Sequence, residues 1–519
     1  MASTAPPLFC TFAGEREKTG LHGNGNKGGK IPNVLAWGMS LVLGLAFAFV
    51  SVLMCWHGAE IASIDSVNYL RFAQTGRCVD LPVHYGVAYP VFLWFCSLFG
   101  GEVPHITTLG NAICAFWFAT ILVRWLMASF RWIGVLGAMT VLANYAVLED
   151  YARALSEGLF LVALALGVAG LSEWAESRRG GWFWMSGAAI GVACLTRYAG
   201  VAFAVCFAFC LWRAEGGGRQ GWCLGGMHLG LGPGGMVAVA LLHKLFFGSA
   251  TNRMLGIHLA GWNQCGDAAS TLISWFMPDR IWLALPMLPW LALAAILAMC
   301  AWGGFDGWKK RNLRRMLWSV SVPVYLLFLL LSYSLFDADI PFDRRMLSPL
   351  VLFLVLGWLD AFHNCRSARR WVAVAALVFW VLFGIFRARP MVSHRFREGE
   401  GWGGLEWDRS PTLRMLEATS GTTRFYSNAP GLLSWRGIGN VECVVFWQLP
   451  TSEMDNPGFM EAYDRMLDEL RTGRACVVHL KSQAWMKRTI PLERIVADAE
   501  LEKLAEYDDG AIFGKPGIW

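Results

Sequence analysis

A long apolar stretch near the start of the chain decides the class of fold. Residues 33–55 read NVLAWGMSLVLGLAFAFVSVLMC, a run of 23 residues without a charged side chain. A helix needs about 20 mostly apolar residues to cross the ~30 Å hydrocarbon layer of a membrane. Basic residues precede the stretch, and it is too long for the apolar part of a cleaved secretory signal. The sequence therefore predicts a signal anchor that stays in the chain.

The overall composition agrees with a membrane protein. Hydrophobic residues make up 55% of the 519-residue chain and charged residues only 16%, whereas ordinary soluble domains are about 45–50% apolar and about 25% charged. The chain lacks the charge that soluble domains of this total length need on their surfaces, and it is too hydrophobic for a disordered protein. The net charge of +6 comes without a long basic run, so we expect no nucleic-acid partner. The lipid bilayer is the first predicted partner.

Ten further stretches are candidate spans, so we predict a polytopic α-helical protein with about eleven transmembrane helices. The predicted spans lie near residues 33–55, 106–127, 132–148, 155–174, 182–198, 199–213, 221–245, 281–303, 316–336, 346–363 and 371–388. The Gly-rich stretch from Gly225 to Gly235 contains Pro233 and is expected to kink or break the seventh span.

Charge is unevenly distributed and divides the chain into parts. Residues 387–519 hold 36 charged side chains, whereas the first 386 residues hold only 46. We therefore predict an N-terminal segment (1–32), a transmembrane domain (33–388) whose first outer loop is 57–105, and a C-terminal soluble domain (389–519).

Basic residues in the connections predict the orientation. Successive connections between spans lie on alternate sides of the membrane. The connections on one side, together with the N-terminal segment, hold 18 Lys and Arg residues, whereas those on the other side are longer in total and hold 9. The richer set, which includes Lys309, Lys310 and Arg311, is expected on the cytoplasmic side together with the N-terminus. Eleven spans then place the C-terminal domain on the outer side.

The C-terminal part is predicted to be a small α/β domain. Short runs that are typical of strands lie at residues 423–427, 442–446, 475–480 and 511–514. Between the second and third runs, Asn456 can cap a helix that opens at Pro457 and closes at Gly473. This alternation favours a partly parallel sheet.

The first outer loop carries the first candidate for chemistry. Asp65, Tyr69, Phe72 and Ala73 recur at helical spacing, which predicts a short helix along the membrane surface. Asp65 lies at its start, close to the end of the first span. One interpretation is that Asp65, with Ser66, caps this helix, and the other is a chemical role.

Aromatic and histidine side chains accompany Asp65 in the same loop. They are Tyr69, His84, Tyr85 and Tyr89. Such residues either line a sugar or lipid cavity or anchor the loop at the membrane interface.

The second outer connection is short and rich in charge. Arg153 and Glu157 are four residues apart and can pair on one helix face. Glu157 lies at the mouth of the fourth span, where a carboxylate is costly unless it is paired or hydrated. Glu149 and Asp150 can join Asp65 in an acidic patch that faces a common cavity, and a purely structural ion pair is the alternative.

Several arginines are predicted on the outer side as well. Arg197 ends the fifth span, Arg253 and His258 follow the seventh, and Arg344 and Arg345 precede the tenth. The guanidinium group binds phosphate with fork geometry. Each arginine alone is explained as an interfacial anchor, but together they indicate an anionic ligand at the membrane surface, and Arg153 belongs to the same set of candidates.

Short motifs in a fixed order resemble the GT-C superfamily of integral-membrane glycosyltransferases. The nearest group is formed by the bacterial relatives of the protein O-mannosyltransferases and of the lipid A aminoarabinose transferase. The motifs are Asp65 to Ala73, Tyr89-Pro90, Ser156 to Phe160, Leu195 to Arg197, Arg345 to Pro349 and, in the C-terminal part, Tyr426 to Asn428. The similarity implies a GT-C-like membrane domain and favours a bacterial inner membrane.

The resemblance also implies an activity, namely transfer of a sugar from a polyprenyl-phosphate donor to a glycan, lipid or protein acceptor at the outer face. Members of the superfamily carry an essential Asp in the first outer loop, and Asp65 matches it. A carboxylate at this position can act as general base toward an acceptor hydroxyl. The loop reads Asp65-Ser66, without the adjacent acidic pair of the eukaryotic protein mannosyltransferases, so a protein acceptor and a divalent cation (Mg or Mn) stay open.

Two other functions fit the composition. A transporter or flippase of a lipid-linked sugar is favoured by internal repeats and charges in mid-membrane, whereas this sequence shows no repeat and its carboxylates cluster at the outer ends of the spans. A noncatalytic scaffold that binds other envelope proteins through its C-terminal domain leaves the charged outer loops unexplained.

Overall fold

A computed structural model gives the structure of the protein. It describes residues 33–61, 63–77, 86–100, 103–247, 256–363, 367–419, 423–449 and 454–517. The predicted N-terminal segment (1–32) lies outside the described residues.

Helices make up the described part of the membrane domain, and a π-helical turn, Gly230–Gly234, joins two of them. The helices are α1 (Asn33–Met54), α2 (Ile64–Thr75), α3 (Ala88–Ser97), α4 (Val103–Phe130), α5 (Trp132–Leu142), α6 (Tyr145–Asp150), α7 (Glu157–Ser177), α8 (Gly180–Thr196), α9 (Gly200–Ala214), α10 (Arg219–Leu229), α11 (Gly235–Phe247), α12 (Trp262–Ser274), α13 (Asp279–Leu283), α14 (Leu288–Lys310), α15 (Leu313–Leu335), α16 (Arg344–Leu347), α17 (Pro349–His363) and α18 (Ser367–Glu398).

All eleven predicted spans are helical, but they differ in length. In the described part of the chain, seven helices are long and apolar enough to cross a membrane. They are Asn33–Met54, His105–Phe130, Glu157–Ser177, Arg219–Phe246, Leu288–Lys310, Leu313–Leu335 and Arg370–Glu398. The other four predicted spans correspond to α5, α8, α9 and α17, which have 11, 17, 15 and 15 residues, fewer than the ~20 of a full-length span.

The seventh predicted span stays continuous despite its glycines and proline. The stretch around Pro233 forms the π-helical turn between α10 and α11. Proline has no N–H to donate, and a π turn accommodates an irregular hydrogen-bond pattern within one helix. The predicted kink is therefore a local widening of the helix.

The last predicted span is longer than expected. It was predicted to end at residue 388, whereas α18 continues without a break to Glu398.

The helix ends meet at two opposite ends of the bundle. At one end, Arg314 pairs with Glu176, and the Nε atom of Arg315 lies 2.6 Å from the Oδ2 atom of Asp360. At the other end, the membrane domain contacts the C-terminal part of the chain, where Trp402 N–H donates to the Ile61 carbonyl over 2.7 Å. We call this second end the domain face.

The C-terminal domain is a mixed five-stranded sheet with helices. Its elements are α19 (Leu405–Asp408), α20 (Pro411–Thr419), β1 (Arg424–Ser427), α21 (Pro430–Trp435), β2 (Val441–Cys443), α22 (Phe459–Arg471), β3 (Ala475–Leu480), α23 (Leu492–Asp498), β4 (Glu502–Glu506) and β5 (Gly510–Gly514). The strand order is β2-β1-β3-β5-β4. β1 is parallel to β2 and β3, whereas β5 is antiparallel to β3 and β4. The predicted α/β domain with a partly parallel sheet is confirmed, and the exposed edge strand β4 is the one that was not predicted.

Candidate active site

A polar cavity of about 500 Å³ opens at the domain face. Its walls come from α2, the start of α7, the α8–α9 junction, α15 and the connection that leads to α16. The lining side chains include Asp65, Tyr69, Ser156, Glu157, Arg197, Tyr198, Phe328, Ser332, Asp337, Asp339 and Arg345. Four of the sequence-predicted site residues other than Asp65 therefore share one cavity with it, namely Tyr69, Glu157, Arg197 and Arg345.

Asp65 lies in the first turn of α2, but it does not cap the helix. The N-cap is Ser63, whose hydroxyl oxygen accepts a hydrogen bond from the Ser66 N–H over 3.4 Å. The capping interpretation of Asp65 is therefore wrong, and its partly exposed carboxylate lies at the cavity wall.

The segment just before Asp65 is fixed by backbone hydrogen bonds on two sides. Glu60 N–H donates to the Ala152 carbonyl over 2.8 Å, and Ala154 N–H donates to the Glu60 carbonyl over 2.9 Å. On the other side, the Ile61 carbonyl accepts from Trp402. The entry to α2 is thus held between the connection from α6 to α7 and the first residues after α18.

Ion pairs reinforce this clamp. The Glu60 Oε2 atom lies 3.0 Å from Arg153 Nε and 2.6 Å from Arg395 Nη2. Arg153 also pairs with Glu149 over 2.6 Å, and Arg395 with Glu400 over 2.7 Å. Burial alone would raise the pKa of Glu60, but Arg153 and Arg395 together hold that pKa below its ordinary value.

Glu149 and Arg153 therefore belong to this network and do not line the polar cavity. The predicted pairing of Arg153 with Glu157 is wrong, because Arg153 is engaged by Glu60 and Glu149. The partners of Glu157 come from elsewhere in the chain.

Glu157 joins the two arginines of the cavity. Its buried carboxylate forms an ion pair with Arg197, and Arg345 Nε lies 3.3 Å from its Oε1 atom. Arg197 also donates to the Met346 sulfur over 3.0 Å. Two guanidinium groups share one carboxylate, so this wall keeps a net positive charge and spare N–H donors. Such a wall suits an anion.

Asp150 is buried behind this wall and does not line the cavity. It is 1% exposed, and among the described residues neither carboxylate oxygen has a hydrogen-bond partner. Burial, followed by the neighbouring negative charge of Glu157, raises the pKa of Asp150 well above its ordinary value. Asp150 therefore favours the neutral form.

Two tyrosines of the connection between α1 and α4 pack against each other. The rings of Tyr69 and Tyr89 lie 5.3 Å apart at 80°, an edge-to-face contact. Tyr69 lines the cavity, and its pKa is raised by burial and then by the charge of Asp65. Tyr89 is fully buried and supports Tyr69 from behind.

The remaining predicted site residues are placed elsewhere. Arg344 faces a different recess, where its guanidinium lies 4.7 Å from the ring centre of Tyr145. The backbone N–H of His258 donates to the Ser334 carbonyl over 2.7 Å. The side chain of His258 does not line the cavity. His84, Tyr85 and Arg253 lie outside the described residues.

The structure adds cavity residues that sequence reasoning missed. Asp337 and Asp339 lie in the connection before α16, and Tyr198 follows Arg197. The available signal was an Asp-x-Asp pattern a few residues before Arg344 and Arg345.

An apolar cleft of about 380 Å³ adjoins the polar cavity. The two share Tyr198, Phe328 and Ser332. The rest of the cleft is lined mainly by apolar residues of α8, α9, α11 and α15, such as Val201 and Ala240. A polar chamber with two arginines on one wall that continues into an apolar cleft suits a ligand with an anionic head and a hydrocarbon tail.

A metal site is not evident in this geometry. Within the described ranges, no three His, Cys, Asp or Glu side chains come together in a group that could hold a metal ion. The divalent cation that the sequence leaves open stays a prediction.

Fold and site together define an integral membrane protein with a C-terminal α/β domain and a polar cavity at the domain face. Two solved structures share the fold. ArnT from Cupriavidus metallidurans bound to undecaprenyl phosphate superposes with a TM-score of 0.52 and 12% sequence identity, over 93% of this chain and 98% of that chain. The apo state of the same ArnT gives a TM-score of 0.51 and 12% identity, over 92% and 97%. No family model and no curated protein matches the sequence.

Proposed function

We propose that this protein is a glycosyltransferase that moves a sugar from a polyprenyl-phosphate donor to an acceptor hydroxyl at the domain face. One observation carries the proposal: Asp65 shares a cavity with Arg197 and Arg345, and that cavity continues into an apolar cleft. The presence of undecaprenyl phosphate in a structure of the same fold supports it.

The cavity side chains account for both halves of such a reaction. The acceptor oxygen forms a bond to the anomeric carbon of the sugar, and the bond from that carbon to the donor phosphate oxygen breaks. Asp65 takes the proton of the acceptor hydroxyl as general base. The leaving phosphate keeps the bonding electron pair, and Arg197 and Arg345 stabilise its charge.

Glu157 is a positioning residue in this scheme. Its carboxylate touches both arginines and holds their side chains against one wall. Because one negative charge faces two positive charges on this wall, the wall attracts a phosphate without burying two unpaired guanidinium groups.

An orientation in the membrane belongs to the same proposal. Helix connections at the end opposite the domain face carry most of the basic residues, including Lys309, Lys310 and Arg311. By the positive-inside rule that end is cytoplasmic, and the C-terminal domain is extracytoplasmic. We place the protein in a bacterial inner membrane.

A transfer assay tests the function. Purified protein is incubated with a radiolabelled polyprenyl-phosphate sugar and an envelope extract that contains acceptors. The proposal expects label in a new product. Label that only changes leaflet in sealed vesicles would identify a flippase, and a complete lack of movement would support the scaffold; either result contradicts the proposal.

A further inference from the structure

The short helix α16 separates the polar cavity from a second recess. Arg345 faces the cavity, whereas the adjacent Arg344 lines a recess of about 420 Å³. The other lining residues of this recess are Tyr145, Arg387, Pro390, Met391, His394 and Glu400. Neighbouring residues on a helix point about 100° apart, so two adjacent arginines serve two different spaces.

The second recess contains a cation, Arg344, that has no carboxylate partner within the described part of the chain. Arg344 and Arg387 stand over the same Tyr145 ring, with guanidinium carbons 4.7 and 5.6 Å from its centre. Arg387 is neutralised by Asp279, whose oxygens lie 3.0 and 3.1 Å from its Nη2 atom.

Among the described residues, no carboxylate pairs with Arg344. Glu400 is the one carboxylate among the described residues that line the recess, and it is bound by Arg395 over 2.7 Å. The recess therefore has an excess of positive charge, and the half-buried Arg344 fork is available for an anion.

The recess lies close to the membrane surface. Arg387 follows Arg370 by 17 residues in α18, which is about 26 Å along a helix and close to the ~30 Å thickness of the hydrocarbon layer. Aromatic side chains lie beside it toward the membrane, where the rings of Phe276 and Trp380 are 4.9 Å apart. This is the depth at which lipid headgroups lie.

We propose that Arg344 and its recess bind a phosphate group at a site separate from the polar cavity that contains Arg345. The phosphate belongs either to the headgroup of an anionic bilayer lipid or to free phosphate. This inference does not depend on the proposed function, because the two spaces lie on different sides of α16.

The test measures lipid binding to the full-length protein by native mass spectrometry. The probes are phosphatidylglycerol and phosphatidylcholine. Wild-type protein should prefer phosphatidylglycerol, and Arg344→Ala should weaken its binding by about tenfold. The matched control is Arg389→Ala, which removes an equal charge from an exposed position outside the recess and should bind like wild type. Equal binding by wild type and Arg344→Ala, or equal loss in both variants, would overturn the proposal.

Two further arms separate the alternatives. Displacement of phosphatidylglycerol by millimolar inorganic phosphate identifies free phosphate as the ligand, and retention identifies the lipid; both support a phosphate site.

Arg345→Gln should keep phosphatidylglycerol binding while it loses polyprenyl phosphate, and loss of both together would mean that the two spaces form one site. Arg344→Lys, which keeps the charge without the fork, should bind better than Arg344→Ala and serves as the check if the alanine variant folds poorly.

Discussion

Arg488 of the C-terminal domain holds Asp339 at the rim of the polar cavity. The Arg488 Nη1 atom lies 2.9 and 3.0 Å from the two carboxylate oxygens of Asp339. Arg488 adopts a φ of 64°, a conformation that costs energy outside glycine and persists when surrounding contacts enforce it. Its carbonyl accepts from Trp447 N–H over 2.9 Å. The C-terminal domain therefore contacts the candidate site directly.

We predict that Arg488→Ala weakens donor use without abolishing transfer. Asp339 would lose its link to the domain, so KM for the donor should rise about fivefold to tenfold while kcat changes less. Asp339→Asn should have a similar effect, and the double variant should be no worse than either single variant because both remove one interaction. Arg494→Ala, which breaks an exposed pair with Asp498, is the control. Additive losses in the double variant would contradict a shared role.

A second prediction concerns the cavity wall that Glu157, Arg197 and Arg345 form. Arg345→Gln should weaken binding of polyprenyl phosphate by about tenfold or more, because it removes a charge-assisted contact. The measurement is titration of the purified protein with polyprenyl phosphate at two salt concentrations. Acceptor binding should change much less, and an equal loss for donor and acceptor would remove Arg345 from the phosphate site.

The apolar cleft gives a third prediction. Ala240 lines the cleft, so Ala240→Trp should fill part of it and exclude the polyprenyl tail. Long-chain donors should lose activity, whereas a donor with a short, water-soluble chain should keep most of it. Ala238→Trp changes an exposed position of α11 outside the cleft and should behave like wild type. If both variants lose activity equally, the tail lies elsewhere.

The ion-pair network around Glu60 predicts a pH dependence of stability. The pKa of Glu60 in the folded protein lies below its ordinary value of 4.5, so its charged form stabilises the fold at neutral pH. That contribution is lost as the pH falls below 4.5 and through the folded pKa. Glu60→Gln should lower the Tm at pH 7, and the difference from wild type should shrink on acidification. A difference that stays constant down to pH 3 would show that the charge of Glu60 is unimportant.

Local pattern was enough to predict the long membrane helices and most strands. Apolar runs marked all seven of the described helices that are long and apolar enough to cross a membrane, since burial in lipid requires long apolar segments. The shorter helices α3 and α12 lie in stretches that were predicted to be connections. Helical spacing placed Asp65 in the first turn of α2. The edge strand β4 was not predicted because its residues, Glu502 to Glu506, are mostly polar and exposed. They therefore lack the apolar alternation of a half-buried strand.

The pairing of charged residues could not be predicted from spacing. Arg153 lies four residues from both Glu149 and Glu157, so spacing alone does not choose its partner. In the structure Arg153 pairs with Glu149 and with Glu60, and Glu60 is also bound by Arg395, which is distant in sequence. Arg344 and Arg345 look equivalent in sequence, but the rotation of a four-residue helix sends them into different spaces. Such choices depend on tertiary packing, which a single sequence does not display.

The most direct test of the account compares Asp65→Asn with wild type for both sugar transfer and donor binding. The isosteric amide cannot accept the proton of the acceptor hydroxyl, so transfer should fall by about 10²–10⁴-fold, while polyprenyl phosphate still binds through Arg197 and Arg345. Asp267→Asn, at an exposed position of α12 outside the cavity, should retain full transfer. The account predicts a binding-competent, inactive Asp65→Asn protein; a variant that transfers sugar at the wild-type rate would contradict it.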